Sequence, residues 1–170
     1  MSEGERTRER ERAPLKDNPY ERVMKWRKEL ADRNKTGPVV IKPSDREVFI
    51  SRQGRLHYFL NPFAFKDTPL QTWLVFKHEV RTKSGRHRHQ GGIIIYVIEG
   101  KGYSVVEDER IDWEKGDLLL LPMRPGGVEH QHFNLQPGSP ALWIAFISLP
   151  IIEHLASEME QTQVSPEFQS

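Results

Sequence analysis

The chain has 170 residues, with 25 lysine or arginine against 24 aspartate or glutamate, a formal net charge of +1 and no cysteine. That length allows one domain with a sizeable core, and the interleaved charges exclude a one-sign footprint for nucleic acid. The lack of cysteine excludes disulfides, thiolate nucleophiles and thiolate-rich zinc sites, leaving histidine and carboxylate as candidate metal ligands.

Positions 1–17 are dense in charge and almost free of apolar residues, so they are expected to remain a disordered tail. Asn18 offers an N-cap oxygen, Pro19 suits the first helical position and Glu21 stands three residues after the cap, which predicts a helix to about Arg33 within segment 18–37. Its apolar residues Tyr20, Val23, Met24, Leu30 and Ala31 recur at helical spacing, and Gly37-Pro38 ends it. From Val39 the texture changes to short β-rich runs: VVI, REVFI, RLHYFL, TWLVFKHEV, GGIIIYVIEG, YSVVEDERIDW, DLLLLP and ALWIAFISL. Turn signals separate them at the spacing of an antiparallel sandwich or barrel, so 38–150 reads as an all-β core. After Pro150, Ile151, Ile152, Leu155 and Met159 recur at helical spacing, which predicts a short C-terminal helix and tail over 151–170. No stretch approaches the roughly 18 apolar residues of a membrane span, and the N-terminus has no apolar signal core. The expected location is cytoplasmic, without membrane contact.

Chemistry concentrates in two segments, GRHRHQGGIIIYVIEGKG (Gly85 to Gly102) and GDLLLLPMRPGGVEHQHFN (Gly116 to Asn134). On a strand an i, i+2 pair projects to one face, so His87 and His89 present both imidazoles together, as do His130 and His132. A third imidazole from a facing strand would complete a site for a divalent transition metal with open coordination positions. Glu99, ten residues after His89 in a tight turn, reads as a solvated turn residue. Gly100 and Gly102 read as hairpin positions. Arg86 and Arg88 alternate with the histidines and should point outward.

These segments resemble the paired motifs of the cupin superfamily. The first is met at His87, His89 and Gly100 or Gly102. The second is met at Gly116, Pro122, Gly127, His130 and Asn134, with the loop after Pro122 three residues longer than usual. The resemblance runs from about Lys77 to Ile147. It implies a double-stranded β-helix, the cupin jelly-roll barrel, carrying an N-terminal helix and a short C-terminal helix. It also implies His87, His89 and His130 as metal ligands, with His132 close by; a one-residue bulge would exchange the roles of His130 and His132. The position of the glutamate ligand of many cupins falls on Ile93 or Ile94, so the implied site has three histidines and no carboxylate. Three neutral imidazoles leave the metal's charge uncompensated, which favours an anionic bidentate ligand.

The stretch looks most like ring-cleaving dioxygenases of the gentisate and hydroxynaphthoate type. That implies an Fe(II) enzyme acting with O2 on a small anionic substrate, an aromatic hydroxy acid or diol, with Mn(II), Zn(II) or Ni(II) as other candidate metals. A homodimer is what family resemblance suggests. Competing readings are a metal-dependent isomerase, lyase or decarboxylase, and a non-enzymatic module binding a small ligand. His132 is the candidate second histidine for orienting ligands or moving protons. Arg124, in the longer loop, is the candidate carboxylate clamp, and Tyr96 a candidate pocket residue. Ile94, Trp73, Phe76 and Trp143 are candidates for pocket or core, while His57, His78 and His154 read as structural or surface residues.

Overall fold

In a computed structural model, residues 18–150 and 159–169 are described. The chain divides between Gly37 and Pro38 into two compact units. The first contains α1 (Pro19–Thr36), which starts as its cap residues dictate: Asn18 Oδ1 accepts from Tyr20 N–H at 2.9 Å and Pro19 occupies the first turn. Gly37 N–H donates to Arg33 O at 2.8 Å and closes the helix at Thr36, beyond the expected Arg33.

The second unit contains β1 (Val48–Ser51), β2 (Gly54–Leu60), β3 (Trp73–Val80), β4 (Arg86–His89), β5 (Ile93–Glu99) and β6 (Lys101–Val106). It continues with β7 (Glu109–Glu114), β8 (Leu118–Leu121), β9 (Val128–Asn134), β10 (Ala141–Ser148) and β11 (Glu160–Gln163). Two antiparallel sheets result, ordered β1-β2-β3-β10-β5-β8 and β11-β4-β9-β6-β7. Alternation decides their inner faces. In β5, Ile93, Ile95 and Val97 are buried while Ile94, Tyr96 and Ile98 are exposed, and β10 buries Ala141, Trp143, Ala145 and Ile147. These side chains join Leu56, Phe76 and Val80 of the same sheet and Val106, Trp113 and Val128 of the other in one core, the arrangement of a two-layer sandwich.

Three expectations are corrected. The fold is all-β and cupin-like, but the sheets do not close into a barrel: among the described residues no ladder joins one sheet to the other. The reason lies at the corners where the chain changes sheet. β4 passes to β5 through Gln90-Gly91-Gly92 and β8 to β9 through a loop ending in Gly126-Gly127, with positive φ at all four glycines. These corners carry the chain from one sheet to the other without a ladder between the sheets.

The expected C-terminal helix is not among the described elements. Positions 151–158 lie outside the described residues, and Glu160–Gln163, placed at the end of that helix and in its tail, form β11. Its residues pair with Arg86, His87 and Arg88, and Thr162 Oγ1 donates to Arg86 O at 3.1 Å. β4 is only four residues long and would otherwise expose an unpaired edge beside the histidines. Finally, the VVI run is no strand; Val39 and Val40 are exposed ahead of a 3₁₀ turn, Pro43–Asp45.

Gly91 makes the sharpest demand on residue type at these corners. Its φ is 86°, and a Cβ there would lie 1.9 Å from Pro122 O. Gly91→Ala should destabilise the protein by on the order of 3 kcal/mol, since strain and overlap add. A scan of thermal unfolding should show a Tm lower by about 6–12 °C.

Candidate metal centre

The ladder between β4 and β9 builds the site. His87 and His130 are direct partners across it, and His89 lies two residues along the same face of β4, opposite Val128. Ring centroids are 4.3 Å apart for His87 and His130, 4.8 Å for His89 and His130 and 5.4 Å for His87 and His89. One ring nitrogen from each lies within 4.8 Å of the others. His87 and His130 are buried and His89 half-buried. Among the described residues no carboxylate joins the group: Ile93 faces inward, while Ile94 and Glu99 are exposed.

Burial sets the charge state. It pushes His87 down to about 4, with His89 adding to the effect, and His89 down to about 4. His130 falls well below the usual range, first through burial and then through its histidine neighbours. All three are therefore neutral at pH 7, the form that donates a lone pair to a metal. Polar bonding points the same way: His87 Nδ1 and His89 Nε2 are buried without a hydrogen-bond partner, and His130 Nδ1 lies 3.3 Å from Val128 O, a contact that as a donor leaves Nε2 free. Gly91 N–H donates to His89 Nδ1 at 3.0 Å. Offering Nε2 to an ion moves the hydrogen to Nδ1 and gives up that contact. The residues thus fit a divalent ion, which His87, His89 and His130 would hold through neutral imidazole nitrogens.

His87 and His130, but not His89, border a cavity of about 20 Å³, lined on its apolar side by Phe76, Ile93, Ile95 and Trp143, room for about one water molecule. His132 also lines it; its Nδ1 is 2.7 Å from Ser104 Oγ, and it is 2% exposed. Burial, then the neighbouring histidines, drive its pKa well down. His78, expected to be structural or on the surface, enters the same cavity from the opposite sheet at 2% exposure. Burial and the nearby His87 push it to about 3. Its signal was present in the alternation of β3, where Phe76, His78 and Val80 share the buried face. Gln53, from the β1–β2 turn, also borders the cavity and carried no sequence signal.

The remaining candidates lie elsewhere. Tyr96 is 44% exposed on the outer face of β5, opposite Ile95. Arg124 sits exposed at the loop before β9, its N–H donating to Gln90 O at 3.0 Å. Trp73 is half-buried at the start of β3. Arg86 and Arg88 pair with Glu129 and Glu107. His57 is buried with Nε2 3.0 Å from Arg46 O, and His154 lies outside the described residues. Asn134, the last motif residue, holds the β9–β10 turn: Nδ2 donates to Arg81 O and Ser139 O, and Oδ1 accepts from Gln136 N–H. Gly127, with φ 84°, lets the chain pass His89; a Cβ would lie 3.1 Å from His89 O.

Residues 74–147, a little under half of the chain, match the cupin domain family. The fold is cupin-like, and over part of its length the chain is similar to gentisate 1,2-dioxygenases. It is 29% identical over 85 residues to a gentisate 1,2-dioxygenase from a Ralstonia species, covering 47% of this chain and 23% of the relative. It is 34% identical over 62 residues to an acireductone dioxygenase from Phaeosphaeria nodorum, covering 34% of each. The chain thus spans about a third or less of these relatives. By fold it is similar to a salicylate 1,2-dioxygenase variant from Pseudoaminobacter salicylatoxidans in complex with gentisate (TM-score 0.54, 17% identity, 96% of this chain and 53% of that one). It is also similar to Streptomyces PAC13 with uridine (TM-score 0.55, 12% identity, 78% of this chain and 96% of that one).

Proposed function

We propose that the chain binds Fe(II) through His87, His89 and His130 and acts as a non-haem dioxygenase on a small anionic chelating acid, an aromatic hydroxy acid or diol. The observation carrying this reading is the neutral, largely buried three-histidine cluster, which among the described residues has no carboxylate. Such a set leaves the ion's charge to be balanced by its ligand. When bound, the ion would supply a Lewis-acidic, redox-active centre with open positions for substrate oxygens and O2. Both oxygen atoms enter the cleaved product, so the reaction consumes no external reductant. Phe76, Ile93 and Trp143 would exclude water from the reacting atoms. His132 would offer a ring N–H to the bound acid. Arg124, in the loop before β9 and bonded through its backbone to Gln90 O, is the candidate to meet a substrate carboxylate.

The size of the cavity favours a second reading. A space of about 20 Å³ must widen to take an aromatic ring, and a metal-dependent isomerase, lyase or decarboxylase working on a smaller acid asks less of the walls. Anaerobic loading with Fe(II), followed by oxygen-electrode assays on gentisate, hydroxynaphthoate, salicylate, catechols and β-diketones, separates the two. The expected result is about one iron per chain and oxygen uptake with one of these acids. Stoichiometric metal without oxygen uptake on any of them would sink the dioxygenase reading and favour the second.

A further inference from the structure

Ser104 lies in β6 directly across the ladder from His132, and it is fully buried. Its Oγ has two polar neighbours of different kinds. Trp113 Nε1, on β7, is 2.9 Å away, and His132 Nδ1 is 2.7 Å away. An indole N–H can only donate, so one lone pair of Ser104 Oγ is taken by Trp113. The hydroxyl hydrogen then needs an acceptor in a place that water does not reach, and His132 Nδ1 is at hydrogen-bond distance. Were Nδ1 to carry the ring hydrogen, Ser104 would receive two donors and its own hydrogen would be buried without a partner, an arrangement folded proteins avoid.

We propose that Trp113 and Ser104 are positioning residues that fix the His132 hydrogen on Nε2, so that the ring presents an N–H donor toward the cavity beside the three-histidine cluster. A second donor stands in the same wall: Trp143 is 4% exposed, its Nε1 has no hydrogen-bond partner, and its ring centroid is 4.9 Å from that of His132. Two uncharged N–H groups form a subsite for an anionic oxygen, the carboxylate or phenolate of an acid held at the cluster. The fixed tautomer matters because an Nδ1–H ring would turn a bare lone pair toward that oxygen and repel it. As a site for a metal-bound acid, this subsite rests on the reading of the cluster as a metal centre. The relay itself does not.

The test begins on metal-free protein labelled with ¹⁵N-histidine at pH 7.5, where long-range ¹H–¹⁵N spectra report which ring nitrogen carries hydrogen. His132 is expected to show a protonated Nε2 and a bare Nδ1. Ser104→Ala should abolish that preference, Trp113→Phe should weaken it, and Ser104→Thr, which keeps the hydroxyl, should restore it. With Co(II) loaded, azide read from the visible spectrum should bind about tenfold more weakly to Ser104→Ala than to the unchanged protein, at equal metal content. Hydrogen on Nδ1 of His132 in the unchanged protein overturns the proposal, whether or not the variants fold. So does a Ser104→Ala protein whose tautomer and azide affinity are unaltered. Failure of oxygen uptake with the tautomer and azide results intact would overturn the dioxygenase reading alone.

Discussion

His130→Ala should lose the metal while keeping the fold. His130 stands at the centre of the cluster, opposite His87 and 4.8 Å from His89 by ring centroid. With four ligands sharing on the order of 12 kcal/mol in a structural zinc site, each is worth about 3 kcal/mol, so removing one weakens binding by about two decades. Metal per chain after dialysis should fall from about one to near zero, and oxygen uptake should fall with it. His87→Ala and His89→Ala should behave alike. Circular dichroism should remain that of the unchanged protein, because the ladder between β4 and β9 is made by backbone and the core lies mainly on other residues. His132→Ala is the informative contrast: metal should stay and turnover should slow. Metal lost from His132→Ala but kept by His130→Ala would reverse the ligand assignment.

Acid should unfold the metal-free protein unusually early. His87 and His89 are held near 4 and His78 near 3 in the folded state, all by burial first, against 6.5 when exposed. A base whose folded pKa is depressed binds its proton more readily once unfolded, so its contribution to stability is whole above about pH 6.5 and is lost as pH falls toward 4. For a drop from 6.5 to about 4 the loss approaches about 3 kcal/mol per group. Two such groups, even with incomplete additivity, remove on the order of 5 kcal/mol, comparable with the whole stability of a small domain. Urea midpoints of the metal-free protein should therefore fall steeply between pH 6.5 and 4.5. Bound metal, which needs neutral imidazoles, should shift that decline to lower pH by mass action. A midpoint that stays level from pH 7 to 4.5 would show that these rings are not buried as described.

Some of this architecture could be read from local pattern because local chemistry decides it. The cap at Asn18 and Pro19 specifies where α1 begins, whatever lies elsewhere in the chain. The i, i+2 spacing of His87 and His89 puts both rings on one face of β4 as a property of extended backbone. Their meeting with His130 followed from the paired motifs.

Pairing between distant strands decided the rest. Whether β9 would bring His130 or His132 into the cluster depends on its register with β4, which sets His87 against His130 and leaves His132 to Ser104. His78 reaches the same cavity from the facing sheet, and no spacing within β3 names its neighbours across the core. Tyr96 turned outward because β5 buries Ile95 against it in alternation, a choice of face made by the core and not by the residue. The Glu160–Gln163 segment became β11 because the short β4 needed a partner on its free edge. The chain likewise changes sheet at glycine corners, without a ladder between the two sheets among the described residues. Backbone direction and residue chemistry are local and legible in the chain; register, facing sheets and burial arise only when segments tens of residues apart satisfy one another's hydrogen bonds and apolar faces.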